Sequence, residues 1–550
     1  MTASISLNHL GFAWPEGAPV FDGIDGAVTG VTALVGDNGS GKTTMLRLIA
    51  GELTPTSGAV DVRGEVAYLP QDLPIRTEST VAELLDIADR LDALRAIEAG
   101  SVDEAHFATV GDDWTVAERA RAELDRLGLE HVDLDRTVGS LSGGESMMVG
   151  LAGRLLLSPS VLLLDEPTNN LDRSARARLY TAVEEFAGTV LVVSHDRELL
   201  RRVGTVAELR DRQLRVFHGN LDVYLEAIGV EQEAARRAVK TAKADMNKQK
   251  QELIDVQVVL ARRKRYGQKM FETNREPRIV MRARKRAAEV SAAKLKIGHQ
   301  EDLREARERL DDAEERVRGD ASIRIDLPDT EIPAGRDVLK LSGVNARGLF
   351  ADGVDLHVRG PERVALVGDN GSGKTTLLRI IAGELDTDAG VSTVAVPFQY
   401  LSQRLDHLDE TATVYENVRR LAPTRPDALL RNRLARLGLR TSRTGRPGEF
   451  RSTHAGQPVA ELSGGERLRT ALAGALSAEP APQLLMLDEP TNNLDMLSVT
   501  QLEQALQAYR GALIVASHDL DFLRELGIDR WFHVERGAGV VEIAEPSDME

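Results

Sequence analysis

The chain has 550 residues, a hydrophobic share of 42%, no cysteine and a formal net charge of −17. That length exceeds one core and predicts about three or four domains, and the missing cysteine excludes structural disulfides, iron–sulfur clusters and thiolate-held zinc. An acidic balance argues against a nucleic-acid binder only while the charge is evenly spread, and here it is not.

In chain order, the N-terminus (Met1–Phe12) has neither a basic n-region nor a sustained apolar stretch, so no signal peptide is expected. The longest apolar runs, such as Val161–Leu164 and Val190–Val193, fall far short of the ~20 residues that span a bilayer. They predict buried strands in a cytoplasmic protein that needs a partner to touch a membrane.

Internal repetition dominates the chain. Gly36–Thr44 recurs identically at Gly368–Thr376, Leu141–Glu145 at Leu462–Glu466, Leu164–Asp172 at Leu487–Asp495, and Ser194–Asp196 at Ser517–Asp519, with offsets of 332, 321, 323 and 323 residues. The expected organisation is a tandem duplication, with one copy over 1–229, a linker over 230–322 and the second copy over 323–550. Each copy has an α/β pattern. A short apolar strand (Val31–Val35; Val364–Val367) enters a Gly-rich loop and then a helix without breakers (Lys42–Ala50; Lys374–Ala382).

The linker differs in kind. No Gly or Pro occurs from Val230 to Tyr266, and Ala235, Val239, Ala242, Met246, Leu253, Val256 and Leu260 recur in steps of four and three, with Gln249 the one polar member. Leu303, Ala306, Leu310, Ala313 and Val317 repeat that spacing. Two heptad runs joined by a break at Gly267–Pro277 predict an antiparallel helical hairpin, with Gly267 stopping the first helix and Pro277 in the first turn of the second. Leu327–Gly335 is a Pro-containing entry to the second copy. Nine of the twelve lysines lie in the linker, and 261–300 holds 13 basic against 3 acidic residues. An acidic body with a basic arm fits an arm that meets a polyanion.

The chemistry sits in the duplicated motifs. In Gly36, Asp37, Asn38, Gly39, Ser40, Gly41, Lys42, Thr43 and Thr44, glycines let backbone N–H groups wrap polyphosphate while Lys42 reaches the outer phosphates and Thr43 ligates Mg²⁺. Gly368, Asp369, Asn370, Gly371, Ser372, Gly373, Lys374, Thr375 and Thr376 repeat this. Asp165 and Asp488 end apolar strands, where an acid can hold magnesium through water. The adjoining Glu166 and Glu489 are placed to orient or deprotonate an attacking water. His195 and His518 are read as donors to the γ-phosphate. Gln71 and Gln403, in matching Tyr-Leu-X-Gln sequences, are candidates to touch magnesium or water.

This order of motifs resembles that of ATP-binding-cassette ATPases across both copies. The resemblance implies two P-loop nucleotide-binding domains joined by a long α-helical hairpin and paired head to tail within one monomer. One ATP site then uses Lys42, Gln71, Asp165, Glu166 and His195 with Ser463, Gly464 and Gly465. The other uses Lys374, Gln403, Asp488, Glu489 and His518 with Ser142, Gly143 and Gly144. Trp14 resembles the adenine-stacking aromatic of that family. The second copy offers no clear equivalent, Arg347 and Phe350 being the nearest residues.

Two cassettes on one chain, the Glu-Pro-Thr-Asn-Asn-Leu-Asp wording and a charged helical linker resemble the ABC-F translation factors, particularly their antibiotic-resistance members. That resemblance implies binding at the exit site of the 70S ribosome, with the linker directed toward P-site tRNA, rRNA and the peptidyl-transferase centre, and release driven by hydrolysis. It implies phosphate contacts from Arg262, Arg263, Lys264, Arg265, Lys269, Arg275, Arg278, Arg282, Arg284, Lys285 and Arg286, and stacking by Tyr266, Met270 and Phe271. The interval from Gln71 to Leu141 leaves little room for a long arm insertion, and the 32 residues after His518 leave none for a long C-terminal extension. A fused ATPase subunit of a membrane exporter is the alternative; it leaves the basic hairpin unexplained.

Overall fold

The structure is a computed structural model that describes residues 3–15, 17–71, 73, 77–169, 171–272, 278–315, 327–439, 454–492 and 494–546. They fall into two compact units. One joins Met1–Asp222 with Ser322–Glu550, and the other is Val223–Ala321.

In the first unit the two copies repeat one architecture. The first copy has a six-stranded sheet in the order Val66–Leu69, Val161–Asp165, Thr189–Val193, Val31–Val35, Thr205–Arg210, Gln213–His218. All neighbours pair parallel except the last two, which are antiparallel. The second sheet repeats this with Phe398–Leu401, Leu484–Asp488, Ala512–Ala516, Arg363–Val367, Arg530–Glu535 and Gly539–Ile543. The central strands are continuous apolar runs because both faces are covered: Val161–Asp165, Thr189–Val193, Leu484–Asp488 and Ala512–Ala516 are buried at every residue. A three-stranded antiparallel sheet (Pro19–Val28, Ser4–Ala13, Ser57–Arg63, repeated as Val354–Arg359, Asp337–Asn345, Ala389–Val394) belongs to each copy. In the second copy one apolar cluster joins residues of the small and central sheets, and another joins the central sheet to the helices around Gly464–Ser477. Leu327 and Ile332 are buried members of those two clusters, so the Pro-containing entry segment is docked on the second copy.

The second unit consists of two helices, Leu221–Glu272 (its first residues in the other unit) and Arg278–Glu315. At a rise of about 1.5 Å per residue, 52 residues make a helix about 78 Å long. The first helix corrects two expectations. It starts before Val230 and runs through Gly229, and Gly267 does not stop it. A glycine inside a helix costs only about 1 kcal/mol relative to alanine, which long flanking helix absorbs. The expected seam is seen in the burial: Ala235, Val239, Ala242, Met246, Gln249, Leu253, Val256 and Leu260 are half-buried, and Leu303, Ala306 and Ala313 are buried. Arg309 pairs with Asp245 at 3.2 Å, a contact that the antiparallel register brings together. Asn274, Arg275 and Pro277 lie outside the described residues, as does Val317. Among the described residues no helix is long and apolar enough to cross a membrane.

Candidate functional site

Each Gly-rich loop connects a central strand to its helix and holds its shape by backbone conformations that suit glycine. Gly39 and Gly371 sit at φ 82° and 76°. At Gly36 a Cβ would stand 2.4 Å from the Leu209 carbonyl oxygen, so the loop can pack against that strand only without a side chain. Lys42 is buried and curls back, its Nζ donating to the Gly36 and Asp37 carbonyls at 2.7 and 3.2 Å. Lys374 does the same at 2.5 and 3.1 Å to Gly368 and Asp369. Burial pushes both ammonium groups below the usual lysine range. A polyanion at the loop would relieve that desolvation.

Two cavities flank these lysines. The one at Lys42, about 540 Å³, is lined by Trp14, Asn38, Gly39, Gly41, Thr43, Thr44, Gln71, Asp165, Glu166 and His195 from the first copy, with Ser463 and Gly464 from the second. The one at Lys374, about 1060 Å³, brings Asn370 through Thr376, Gln403, Asp488, Glu489 and His518 together with Ser142, Gly143 and Gly144. Gly36, Asp37, Ser40, Gly368, Asp369 and Gly465 are not among the lining residues. In each cavity, therefore, one copy's phosphate loop faces the other copy's Leu-Ser-Gly-Gly-Glu turn. A cross-copy bond accompanies this: the Asn38 N–H donates to Asp495 Oδ2 at 3.1 Å. Ser142 and Ser463 cap the helices that begin there (Gly143–Leu156 and Gly464–Ser477): each hydroxyl oxygen accepts from the Glu145 or Glu466 N–H, and that glutamate's carboxylate accepts in return from the serine N–H. Both helix N-termini thus point N–H groups and a positive dipole end at the facing cavity.

The acids lie at the ends of the second central strands. Glu166 and Glu489 take φ of 49° and 46°, the left-handed region that an L-residue with a side chain seldom adopts. Each backbone N–H donates at 2.8 Å to the neighbouring strand, at Val193 or Ala516. The carboxyls meet the histidines: Glu166 Oε1 is 3.2 Å from His195 Nε2, and Glu489 Oε1 is 3.3 Å from His518 Nε2. Burial, with the adjoining Asp, raises both glutamates to about 7 against the opposing pull of the nearby lysine. Burial and the same lysines push both histidines down. At neutral pH these contacts therefore join a carboxyl to a neutral imidazole. A glutamate that changes charge near pH 7 gives an expected pH profile: turnover for ATP falls as pH drops through about 7, because the base becomes protonated. Steady-state kcat measured from pH 5 to 9 checks this.

Sequence reasoning passed over Tyr68 and Tyr400. Their hydroxyls donate to Asp165 Oδ2 at 3.4 Å and Asp488 Oδ2 at 3.3 Å. The signal was their recurrence three residues before the two glutamines. The adenine positions are also sharpened. Trp14 is 44% exposed on the cavity rim, held edge-on by Phe12 at 5.1 Å. Phe350 is fully buried, and a Cβ on Gly373 would lie 2.9 Å from its ring, so it is the counterpart of Phe21 beside Gly41 and cannot face a base. Arg347 lines the Lys374 cavity instead. Removing the Trp14 ring is expected to raise KM for ATP about 10-fold, the worth of one base–aromatic stack of about 1–3 kcal/mol, with kcat little changed. A titration of initial rates against ATP measures both.

The donors fit magnesium. Thr43, Gln71 and Asp165, and Thr375, Gln403 and Asp488, offer only oxygen and amide ligands, which suits a hard cation that takes its remaining ligands from phosphate and water. The buried hydroxyl of Ser372, which lines the Lys374 cavity, has no hydrogen-bond partner within the protein, as expected of a group beside a polyanion. Among the described residues no cluster of three or more His, Cys, Asp or Glu side chains could cage a metal alone.

Paired phosphate loops, acid-ended strands and trans-facing capped helices define an ATP-binding-cassette ATPase. The family described as ABC transporter matches 28–169 and 351–492, more than half of the chain. The tylosin resistance ATP-binding protein TlrC of Streptomyces fradiae is 32% identical over 516 residues, covering 88% of this chain and 89% of that protein. The ATP-binding protein Uup of Caulobacter vibrioides is 31% identical over 541 residues, covering 95% of this chain and 76% of its own. The probable ATP-binding protein YheS of Escherichia coli is 28% identical over 526 residues, covering 92% and 74%. The chain belongs to the ABC-F family of tandem-cassette ATPases. Among solved structures, the RNase-L Inhibitor shares the fold, with a TM-score of 0.57 and 18% identity over 98% of this chain and 89% of that one.

Proposed function

We propose that the protein is a cytoplasmic ribosome-protection factor, a monomer whose two cassettes close on ATP and whose hairpin contacts rRNA and P-site tRNA at the exit-site side of the 70S ribosome. The observation that carries this is the hairpin's charge. Arg262, Arg263, Lys264, Arg265 and Tyr266 form an unbroken exposed run on the first helix, and Lys285 and Arg286 are exposed on the second, in a protein that is otherwise acidic. Lys269 is exposed as well. The side chains of Met270, Phe271, Arg278, Arg282 and Arg284 are outside the described residues. A relative that matches this chain over both cassettes and the linker is named for tylosin resistance, which supports protection against a ribosome-directed antibiotic.

In the reaction, the loop N–H groups and Lys42 or Lys374 hold the phosphates, and the facing Ser-Gly-Gly turn completes the pocket. Glu166 and Glu489 take the proton of the attacking water, and His195 and His518 donate to the γ-phosphate. Mg²⁺, when bound through Thr43, Gln71 and Asp165 or through Thr375, Gln403 and Asp488, neutralises phosphate charge. Hydrolysis removes the group on which both turns converge, and the cassettes release the ribosome.

Changing Arg262, Arg263, Lys264 and Arg265 to Gln tests the contact. Sedimentation with 70S ribosomes across a salt series is expected to show weaker binding and a log–log salt slope flatter by about 3, from roughly 0.7–0.9 per lost phosphate contact. An unchanged slope would mean the hairpin is not the RNA contact. Recovery with membranes rather than ribosomes would favour the exporter reading.

A further inference from the structure

The Lys42 and Lys374 sites are built from duplicated motifs, but the loops that carry their histidines are held differently. The repeat offset of 323 residues that relates Asp165 to Asp488 and His195 to His518 also relates Arg176 to Val499, Tyr180 to Glu503, Asp196 to Asp519 and Arg197 to Leu520.

In the first cassette, Asp196 directly follows His195. Its Oδ2 receives Arg176 Nη1 at 3.2 Å and the Tyr180 hydroxyl at 2.9 Å, while Oδ1 caps the next helix through the Leu199 N–H at 3.0 Å. Arg176 is half-buried and also donates from Nε to the Leu171 carbonyl at 3.2 Å. The next residue in the loop, Arg197, crosses to the other cassette and pairs with Glu503 at 2.9 Å, both side chains largely buried. The dipeptide after His195 is thus gripped by its own cassette on one side and by the partner cassette on the other.

In the second cassette neither of these two grips recurs at the matching position; the loop is tied across the copies one step further on, where Asp521 receives Arg201 of the first cassette. Val499 is part of the apolar core and Leu520 packs against it. Asp519 caps its helix through the Phe522 N–H at 2.9 Å, and among the described residues it forms no ion pair. Glu503, at the position of Tyr180, is turned to Arg197. The histidines themselves differ as well. His518 Nε2 lies 3.1 Å from Lys374 Nζ and 3.3 Å from Glu489 Oε1, whereas His195 Nε2 meets Glu166 Oε1 at 3.2 Å and, among the described residues, makes no matching bond with Lys42.

We propose that Arg176 and Arg197 are positioning residues that clamp the His195 loop and make the two ATP sites inequivalent: the Lys42 site depends on these two arginines to keep its histidine in place through the catalytic cycle, and the Lys374 site holds its histidine by other contacts and does not. Buried ion pairs with extra hydrogen bonds hold geometry more than they add stability, and a histidine that must reach a γ-phosphate oxygen gains from being held. Both arginines belong to the first cassette, so the asymmetry is a property of this chain's sequence and not of the fold.

Single-site enzymes test this. Glu489→Gln leaves the Lys42 site to hydrolyse, and Glu166→Gln leaves the Lys374 site. Because Arg197→Leu alone would strand Glu503 as a buried, unpaired charge, the variant to measure is the double R197L/E503Q, whose leucine is the residue the second cassette carries at this position. In the Glu489→Gln background it is expected to lower kcat about 10-fold with KM for ATP unchanged within 2-fold. In the Glu166→Gln background kcat is expected to stay within 2-fold. Arg197→Lys, which keeps the charge, is expected to retain at least half of the Lys42-site rate. Equal losses at both sites, a loss expressed in KM, or no loss at the Lys42 site would each overturn the proposal. If the double variant does not fold, the same outcomes are read from Arg197→Lys against Arg197→Gln.

Discussion

Replacing Glu166 and Glu489 together by Gln is expected to lower ATP turnover by about 10²–10⁴-fold, the usual worth of a positioned general base, and to leave the protein fixed on 70S ribosomes while ATP is present. The amide is nearly isosteric, so the hydrogen-bonded surroundings survive. Glu166 and Glu489 each sit in a left-handed backbone conformation 3.2 and 3.3 Å from a neutral histidine. Gln fits there but cannot accept the proton of water. ATP then stays in both cavities, and each γ-phosphate keeps two surfaces together. Sucrose-gradient sedimentation with ATP, with ADP and without nucleotide reads the result. Co-migration with 70S particles in the ATP arm alone is the expected outcome, and variant protein remaining at the top of the gradient in every arm would sink the ribosome reading. Expression in a sensitive host challenged with a panel of ribosome-directed antibiotics separates the two parts of the proposal, since wild-type protein is expected to raise tolerance to at least one of them while the trapped variant does not.

What the sequence disclosed and what it hid follow from the range of the interactions. Gly36, Gly39 and their repeats are legible because a phosphate loop needs local backbone shapes that glycine allows, and a short motif carries them. The hairpin seam is legible because a heptad is a local periodicity: Ala306 and Leu303 are buried where the spacing put them. Gly267 misled because a breaker's local cost is small against a helix of 52 residues. Phe350 misled because proximity in sequence to the loop does not say which side of it a ring occupies; Gly373 makes room for that ring in the core. The link between Arg197 and Glu503 spans 306 positions, and no periodicity or motif marks either partner. Only the folded pairing of the two copies brings them together, and there the duplicated sequence stops being symmetric.

The trans arrangement makes the second large prediction: damage to one cassette's Ser-Gly-Gly turn silences the other cassette's lysine site. Ser142→Asp and Ser463→Asp are suitable probes. Asp caps a helix as well as Ser, so the first N–H groups of the helices Gly143–Leu156 and Gly464–Ser477 keep an acceptor while Glu145 or Glu466 turns away from the new charge, and each turn now presents a carboxylate where the facing site needs positive potential. Ser463 lines the Lys42 cavity, and Ser142 lines the Lys374 cavity. In the Glu489→Gln background, where only the Lys42 site turns over, Ser463→Asp is expected to cost about 10²-fold in kcat, comparable to losing one preorganised donor at developing charge, while Ser142→Asp has little effect. In the Glu166→Gln background the two variants exchange roles. A cassette that served its own site would give the opposite pattern, with each serine change silencing the lysine of its own copy. Because the cap is preserved and unmutated Gly-Gly follows in both variants, a thermal melt within a few degrees of the parent distinguishes lost complementarity from lost folding. The crossed pattern depends on Asn38 meeting Asp495 across the copies at 3.1 Å, a contact that exists only when the phosphate loop of one copy faces the turn of the other.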